Sequence, residues 1–199
     1  MTHRHLTELE KVPAAWHNAV AGHLAGGNPT AGIYIGNKAV PDLDDLGHLA
    51  GHPMPTWGPG HTWDEVPGCY DWPARVLALG GGNATHGSQS LALHEFGHVA
   101  DDTAGRATGT GDRASHSDAW IRLHRPIAAA PDQDDYYLGL YGSGLSEAWA
   151  ECFACWARDR PAARPADGIA AHFRIGTREA AAIVAYFDNI ETRLARRRR

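Results

Sequence analysis

Apolar residues recur at spacings of three and four through much of the chain, and short apolar runs of strand type interrupt that period. Leu9, Val12, Ala15, Trp16, Ala19, Val20 and Leu24 follow the helical repeat. They predict an amphipathic helix over Glu8 to Leu24, interrupted early by Pro13 and ended by Gly26-Gly27-Asn28-Pro29. Ile33-Tyr34-Ile35 and Arg75-Val76-Leu77-Ala78-Leu79 are strand candidates, the second stopped by Gly80-Gly81-Gly82-Asn83. Leucines between Asp42 and Ala50 predict a short helix capped by Asp42. From His52 to Pro73, prolines and glycines interleave with Trp57, Trp63 and Trp72, an irregular segment whose indoles either pack into the core, the preferred reading, or line a substrate groove. Ser88 is the expected cap of a helix from Gln89 to Thr103. Further helices are predicted at Ser115 to Ala128, Ser143 to Arg158, Asp167 to Phe173 and Thr177 to Arg196. Helices outnumber strands and both strands fall in the first half, so the predicted class is α+β, predominantly helical.

Composition narrows the possibilities. With 199 residues, 43% of them hydrophobic, the chain suits a single domain over 1–199, with 1–30 as an N-terminal helical segment and 193–199 as a basic C-terminal tail. No window reaches ~18 uninterrupted apolar residues, which excludes a helical membrane span. No apolar stretch follows the basic residues near Met1, so the expected location is the cytoplasm, or outside it by export without a cleavable signal. The formal charge of −5 conceals a tail carrying Arg193 and Arg196 through Arg199, ahead of which 13 basic residues face 23 acidic ones. A body that acidic does not offer the clustered cations that nucleic acid requires, and none is expected as a partner. Three cysteines are too few for a disulfide framework; Cys152 and Cys155 have the spacing of a metal or redox pair, yet fall inside a helix and read as buried core thiols. Thirteen histidines invite a search for a metal site.

The segment Leu91-Ala92-Leu93-His94-Glu95-Phe96-Gly97-His98-Val99-Ala100 rewards that search. Four steps of ~100° bring His98 back to within ~40° of His94, so both imidazoles leave the same helix face one turn apart. Zinc accepts neutral imidazole nitrogen at roughly 2.0 to 2.1 Å, and an open coordination position holds a water whose pKa falls to about 7. Glu95, between the two histidines, is placed to take the proton from that water and pass it to a leaving nitrogen. Apolar neighbours on both sides suit a buried active-site helix.

A third ligand is needed. Asp101 and Ala104 stand where the extended metzincin motif requires Gly and His, which excludes that class. Gly144-Leu145-Ser146-Glu147-Ala148-Trp149-Ala150-Glu151-Cys152-Phe153-Ala154 carries two carboxylates four residues apart on one helical face, among apolar neighbours. Glu147 would close the coordination sphere, and Glu151, one turn on, would accept the free N–H of a histidine ligand and fix its tautomer. The spacing alone also allows the two to exchange roles.

Between about Ile33 and Ala157 the chain resembles the lethal-factor-like catalytic domain of anthrax toxin lethal factor and its relatives, which include the Pro-Pro endopeptidases. The resemblance rests on Ile33-Tyr34-Ile35-Gly36, the leucine-bearing stretch from Asp42 to Ala50, Thr62-Trp63-Asp64-Glu65-Val66-Pro67-Gly68, His94-Glu95-Phe96-Gly97-His98 with Asp101, and Ser146-Glu147-Ala148-Trp149-Ala150-Glu151. It implies a zincin-like metallopeptidase domain with a small sheet and an active-site helix. It further implies a zinc endopeptidase of gluzincin type acting on peptide or protein substrates, with His94, His98 and Glu147 as ligands and Glu95 as general base. In the family a tyrosine about seven residues before the metal glutamate donates to the oxyanion. Here that position is Leu140, and Tyr141 is the nearest phenol, with Tyr136 and Tyr137 farther back. Tyr141 is the expected donor. The competing reading is a non-catalytic, metal-stabilised binding module of the toxin docking type.

Overall fold

A computed structural model of the protein describes residues 1–53, 60–81, 87–138 and 143–197. The chain opens with helices α1 (Thr2–Leu9) and α2 (Ala14–Ala25) and strand β1 (Gly32–Ile35). Strands β2 (Gly68–Asp71) and β3 (Val76–Leu79) follow, then helices α3 (Leu91–Thr108), α4 (Asp118–Ala128), α5 (Asp135–Leu138), α6 (Gly144–Asp159), α7 (Pro165–Phe173) and α8 (Thr177–Arg196). The predicted class, predominantly helical α+β with a small sheet, is the one observed. Among the described residues no helix is long and apolar enough to cross a membrane.

The apolar run Val76–Leu79 forms the centre of the sheet, whose order is β1-β3-β2, with β1 parallel and β2 antiparallel to β3. Alternation along β3 divides the interior in two. Leu77 and Leu79 face the main core, while Val76 and Ala78 face a smaller cluster with Val40, Leu46, Trp63 and Val66. The main core is built around α6, which is buried on nearly all sides, as expected of a helix apolar around its circumference. Trp149 stacks on Phe153 with ring centroids 5.6 Å apart, and Phe187 of α8 meets Trp149 edge-on at 4.9 Å. Trp16 of α2 meets Phe153 edge-on at 5.1 Å.

Several boundaries differ from the sequence expectation. The first helix starts at Thr2 and ends at Leu9, and Pro13, with extended backbone, opens α2 rather than interrupting one longer helix. The stretch from Asp42 to Ala50 forms two separate 3-10 turns, Val40–Asp42 and Gly47–Leu49, because Asp45 takes a left-handed conformation (φ 63°) that no continuous helix accommodates. Its leucines still turn inward, Leu46 being fully buried. Ser90, not Ser88, caps α3, its Oγ accepting from the Leu93 N–H. That helix runs to Thr108 and ends at Gly109, whose φ of 71° is the left-handed stop glycine adopts without strain. β2 and α5 lie outside the predicted elements. Of the three tryptophans expected in the core, Trp63 is buried, Trp72 is 47% exposed, and Trp57 lies outside the described residues.

α3 and α6 cross in backbone contact. A Cβ built on Gly97 would lie 2.8 Å from both the Cα and the carbonyl oxygen of Ala150. Gly97→Ala is therefore expected to lower stability by about 2 kcal/mol, an overpacking cost that outweighs the roughly 1 kcal/mol gained in helix propensity. A lowered urea midpoint of the metal-free protein checks this; an unchanged or raised one would show that the crossing yields.

Candidate metal centre

The helix crossing sets three donors from two elements against one another. His94 Nε2 and His98 Nε2 lie 3.3 Å and 3.2 Å from the same oxygen, Glu147 Oε2, and the two imidazole rings stand 4.9 Å apart at a steep angle. Glu151, one turn farther along α6, approaches His94 from the other side, Oε2 at 2.9 Å from Nδ1. The Nδ1–H of His94 donates to Glu151, so Nε2 is the ring nitrogen that faces the convergence point. Of the two arrangements open from spacing, the geometry thus sets Glu147 among the ring nitrogens and Glu151 behind one of them.

Charges at the site are strongly coupled. Burial opposes a proton on His94, but hydrogen bonds to Glu147 and Glu151, aided by the negative field of Glu95, push its pKa up to about 10. Burial likewise opposes charge on Glu147, yet the charge of His98 and the hydrogen bonds from both histidines hold it well below the usual carboxylate range. For Glu151, burial is outweighed by the hydrogen bond and charge of His94, and its pKa falls to about 2. In the protein alone, the proton held by His94 compensates these buried carboxylates. A divalent cation at the convergence point would supply that positive charge instead, and the two imidazoles with one carboxylate match the donor set of catalytic zinc.

The centre opens on a cleft of about 960 Å³ whose walls include Glu95, His98, Glu147, Tyr136, Trp72 and His172. Tyr136, at the start of α5, donates its hydroxyl to Glu147 Oε2. Burial, with the charge of Glu147, raises its pKa strongly, so the phenol remains a donor. Tyr141, the expected oxyanion donor, lies outside the described residues. Tyr137 points away, toward His172 at 3.2 Å. The signal for Tyr136 was local: Asp134 Oδ1 accepts the Tyr136 N–H at 3.0 Å, an Asx turn that starts α5 and presents the ring. Trp72 and the Arg113 guanidinium, 5.2 Å from its ring, also line the cleft, a pairing that sequence spacing did not reveal.

Behind the centre, Asp102 ties α3 to its neighbours. Its carboxylate lies 3.1 Å from His23 Nε2 of α2 and accepts from Tyr70 of β2 at 3.0 Å and Arg106 at 2.8 Å. Asp101, on the cleft side, is buried and accepts the Ser115 backbone N–H at 2.6 Å through Oδ1, while Oδ2 has no hydrogen-bond partner among the described residues. Burial raises its pKa to about 6, tempered by Ser115 and by the charges of His98 and Arg113. The unfolded chain loses this proton near its ordinary pKa of about 4, before the native state does. The contribution of Asp101 to the stability of the metal-free protein should therefore fall as pH rises from about 4 to about 6, by roughly 3 kcal/mol. Asp101→Asn should remove that component from urea unfolding measured across the interval; an unaltered slope would assign it elsewhere.

No protein-family model matches the chain, and no curated protein matches it in sequence. Among solved structures, the chain superposes on the Pro-Pro endopeptidase PPEP-2 from Paenibacillus alvei with a TM-score of 0.62, over 86% of each chain and at 24% identity. The two chains share a fold. Cys152 and Cys155 sit fully buried in α6 with free thiols, as the helical reading of their spacing expected.

Proposed function

We propose that the protein is a zinc-dependent endopeptidase, with His94, His98 and Glu147 as the metal ligands and Glu95 as the general base. The observation that carries this reading is the convergence of two imidazoles and one carboxylate beside Glu95 at the wall of an open cleft. The shared fold with an endopeptidase supports it, as do the lethal-factor-like motifs that supply these same residues.

When bound, zinc supplies Lewis-acid polarisation of the scissile carbonyl and acidifies a water molecule. The protein's own groups do the rest. Glu95 accepts the proton released as water adds to the carbonyl and returns it to the departing amide nitrogen. Tyr136, kept protonated, donates to the oxygen on which negative charge develops. Glu151 holds His94 in the tautomer that presents Nε2. Trp72 and Arg113 line the cleft and offer a peptide an aromatic and a cationic contact.

The test is incubation of zinc-loaded protein with a diverse peptide mixture, enriched in Pro-Pro sequences because the structural neighbour is a Pro-Pro endopeptidase. Products are read by mass spectrometry with and without chelator. Cleavage that chelator abolishes and zinc restores is the expected result. Metal-loaded protein that cleaves no peptide would favour the non-catalytic binding module instead.

A further inference from the structure

Glu151 has two oxygens, and they serve different neighbours. Oε2 receives His94 Nδ1–H at 2.9 Å. Oε1 faces away from that ring, 4.0 Å from Cys155 Sγ and 3.8 Å from His172 Nε2. These three donors, from two turns of α6 and from α7, lie within 4.8 Å of one another. Around a tetrahedral zinc with bonds of about 2.0 to 2.3 Å, neighbouring donors stand roughly 3.3 to 3.8 Å apart. The two pairs that include Oε1 would close with a contraction of a few tenths of an ångström, and rotation of the His172 ring would bring Nε2 and Sγ, which lie within 4.8 Å, to the same spacing. We propose that Glu151 Oε1, Cys155 Sγ and His172 Nε2 form a second site for a thiophilic divalent cation such as zinc, joined to the first through the shared Glu151 carboxylate.

The surroundings fit such an ion. His172 lines the cleft with its side chain 14% exposed, which gives the ion an entry, whereas Glu151 and Cys155 are buried. Tyr137, whose hydroxyl lies 3.2 Å from His172 Nε2, is the group an entering ion would displace from that nitrogen. Arg158 is the nearby cation, and its charge is engaged by a fork onto Asp159 at 2.7 Å and 2.6 Å. Burial and the charge of Glu151 raise the Cys155 pKa, so the thiol is protonated when no ion is present. Binding at neutral pH then forms the metal–sulfur bond and releases that one proton to solvent. The charges balance, since a carboxylate and a thiolate neutralise the dication while His172 contributes a neutral nitrogen.

Sharing Glu151 couples the sites. A cation on Oε1 withdraws charge from the carboxylate that receives the His94 N–H, and so weakens His94 as a ligand. Occupancy of the second site is thus expected to depress the first. This coupling, unlike the binding itself, rests on the peptidase reading.

Cobalt(II) titration of the metal-free protein separates the two ions, because the first site has only nitrogen and oxygen donors. The expected result is binding of two equivalents, the second alone producing cobalt–thiolate charge-transfer absorption in the near ultraviolet with release of one proton. Cys155→Ala should abolish that absorption and retain the first equivalent. His172→Gln, at a partly exposed position, should do the same even if the buried substitution destabilises the protein. Binding of one equivalent without thiolate absorption would overturn the proposal. So would absorption that persists in both variants, which would assign it to Cys69 or Cys152. In activity, inhibition by excess zinc should shift to at least ~10-fold higher zinc in Cys155→Ala. A wild-type protein that cleaves nothing would remove the peptidase reading while the cobalt spectra still decided the second site.

Discussion

Glu95→Gln is expected to retain zinc and lose hydrolysis, with kcat falling roughly 10²- to 10⁴-fold, or about 3 to 5 kcal/mol of barrier. The substitution preserves shape and removes only the ability to accept a proton. Glu95 lies at the cleft wall on the same turn of α3 as His94, and it is absent from the three donors that converge. Metal content measured after dialysis should therefore match wild type. Tyr136→Phe offers a contrast, since on the proposed mechanism it removes a donor to the developing oxyanion and should cost about 10²-fold in kcat with the ion still held. A Glu95→Gln protein that cleaves at the wild-type rate would end the proton-shuttle assignment. One that loses its zinc would instead make Glu95 a structural support of the centre.

Glu147→Ala and Glu151→Gln are expected to differ by a wide margin in metal affinity. Glu147 stands within 3.3 Å of both ring nitrogens, so on the proposed ligand set its removal deletes one of three direct donors and should leave zinc too weakly held to survive dialysis. Glu151 acts on His94 through Nδ1, and loss of its charge should weaken zinc roughly 10- to 100-fold, the usual effect of an outer hydrogen-bond partner. Competition against a chromophoric chelator at one equivalent of zinc measures both. If Glu151→Gln strips the ion and Glu147→Ala keeps it, the two carboxylates have exchanged roles.

Local features of the site were legible in the chain, and relations between elements were not. The four-residue spacing of His94 and His98 fixes their common face as soon as the segment is helical, and the same holds for Glu147 and Glu151. Nothing in either spacing says which glutamate meets the ring nitrogens. That depends on how α3 crosses α6, which the contact of Gly97 with Ala150 decides. The cap of α3 was displaced by two residues because Ser88 and Ser90 are both serines, and only the backbone shows which one meets the Leu93 N–H. β2 escaped detection because Gly68-Cys69-Tyr70-Asp71 has no β-branched run; it is a strand through its pairing with β3. The stretch from Asp42 to Ala50 carries leucines at a spacing shared by helices and successive turns, and the left-handed Asp45 decides between them. Bulk alone favours core over groove for Trp72, but its ring stands at the cleft beside Arg113, the groove-lining alternative.

The backbone contact between Gly97 and Ala150 has a thermodynamic consequence for the cation. Two helices that touch without intervening side chains hold their spacing by steric exclusion, whether or not a charge sits between them. Chelation should accordingly leave far-ultraviolet ellipticity nearly unchanged. An ion bound at the proposed centre would enter a frame already assembled, raising the stability of the native state without being needed to form it.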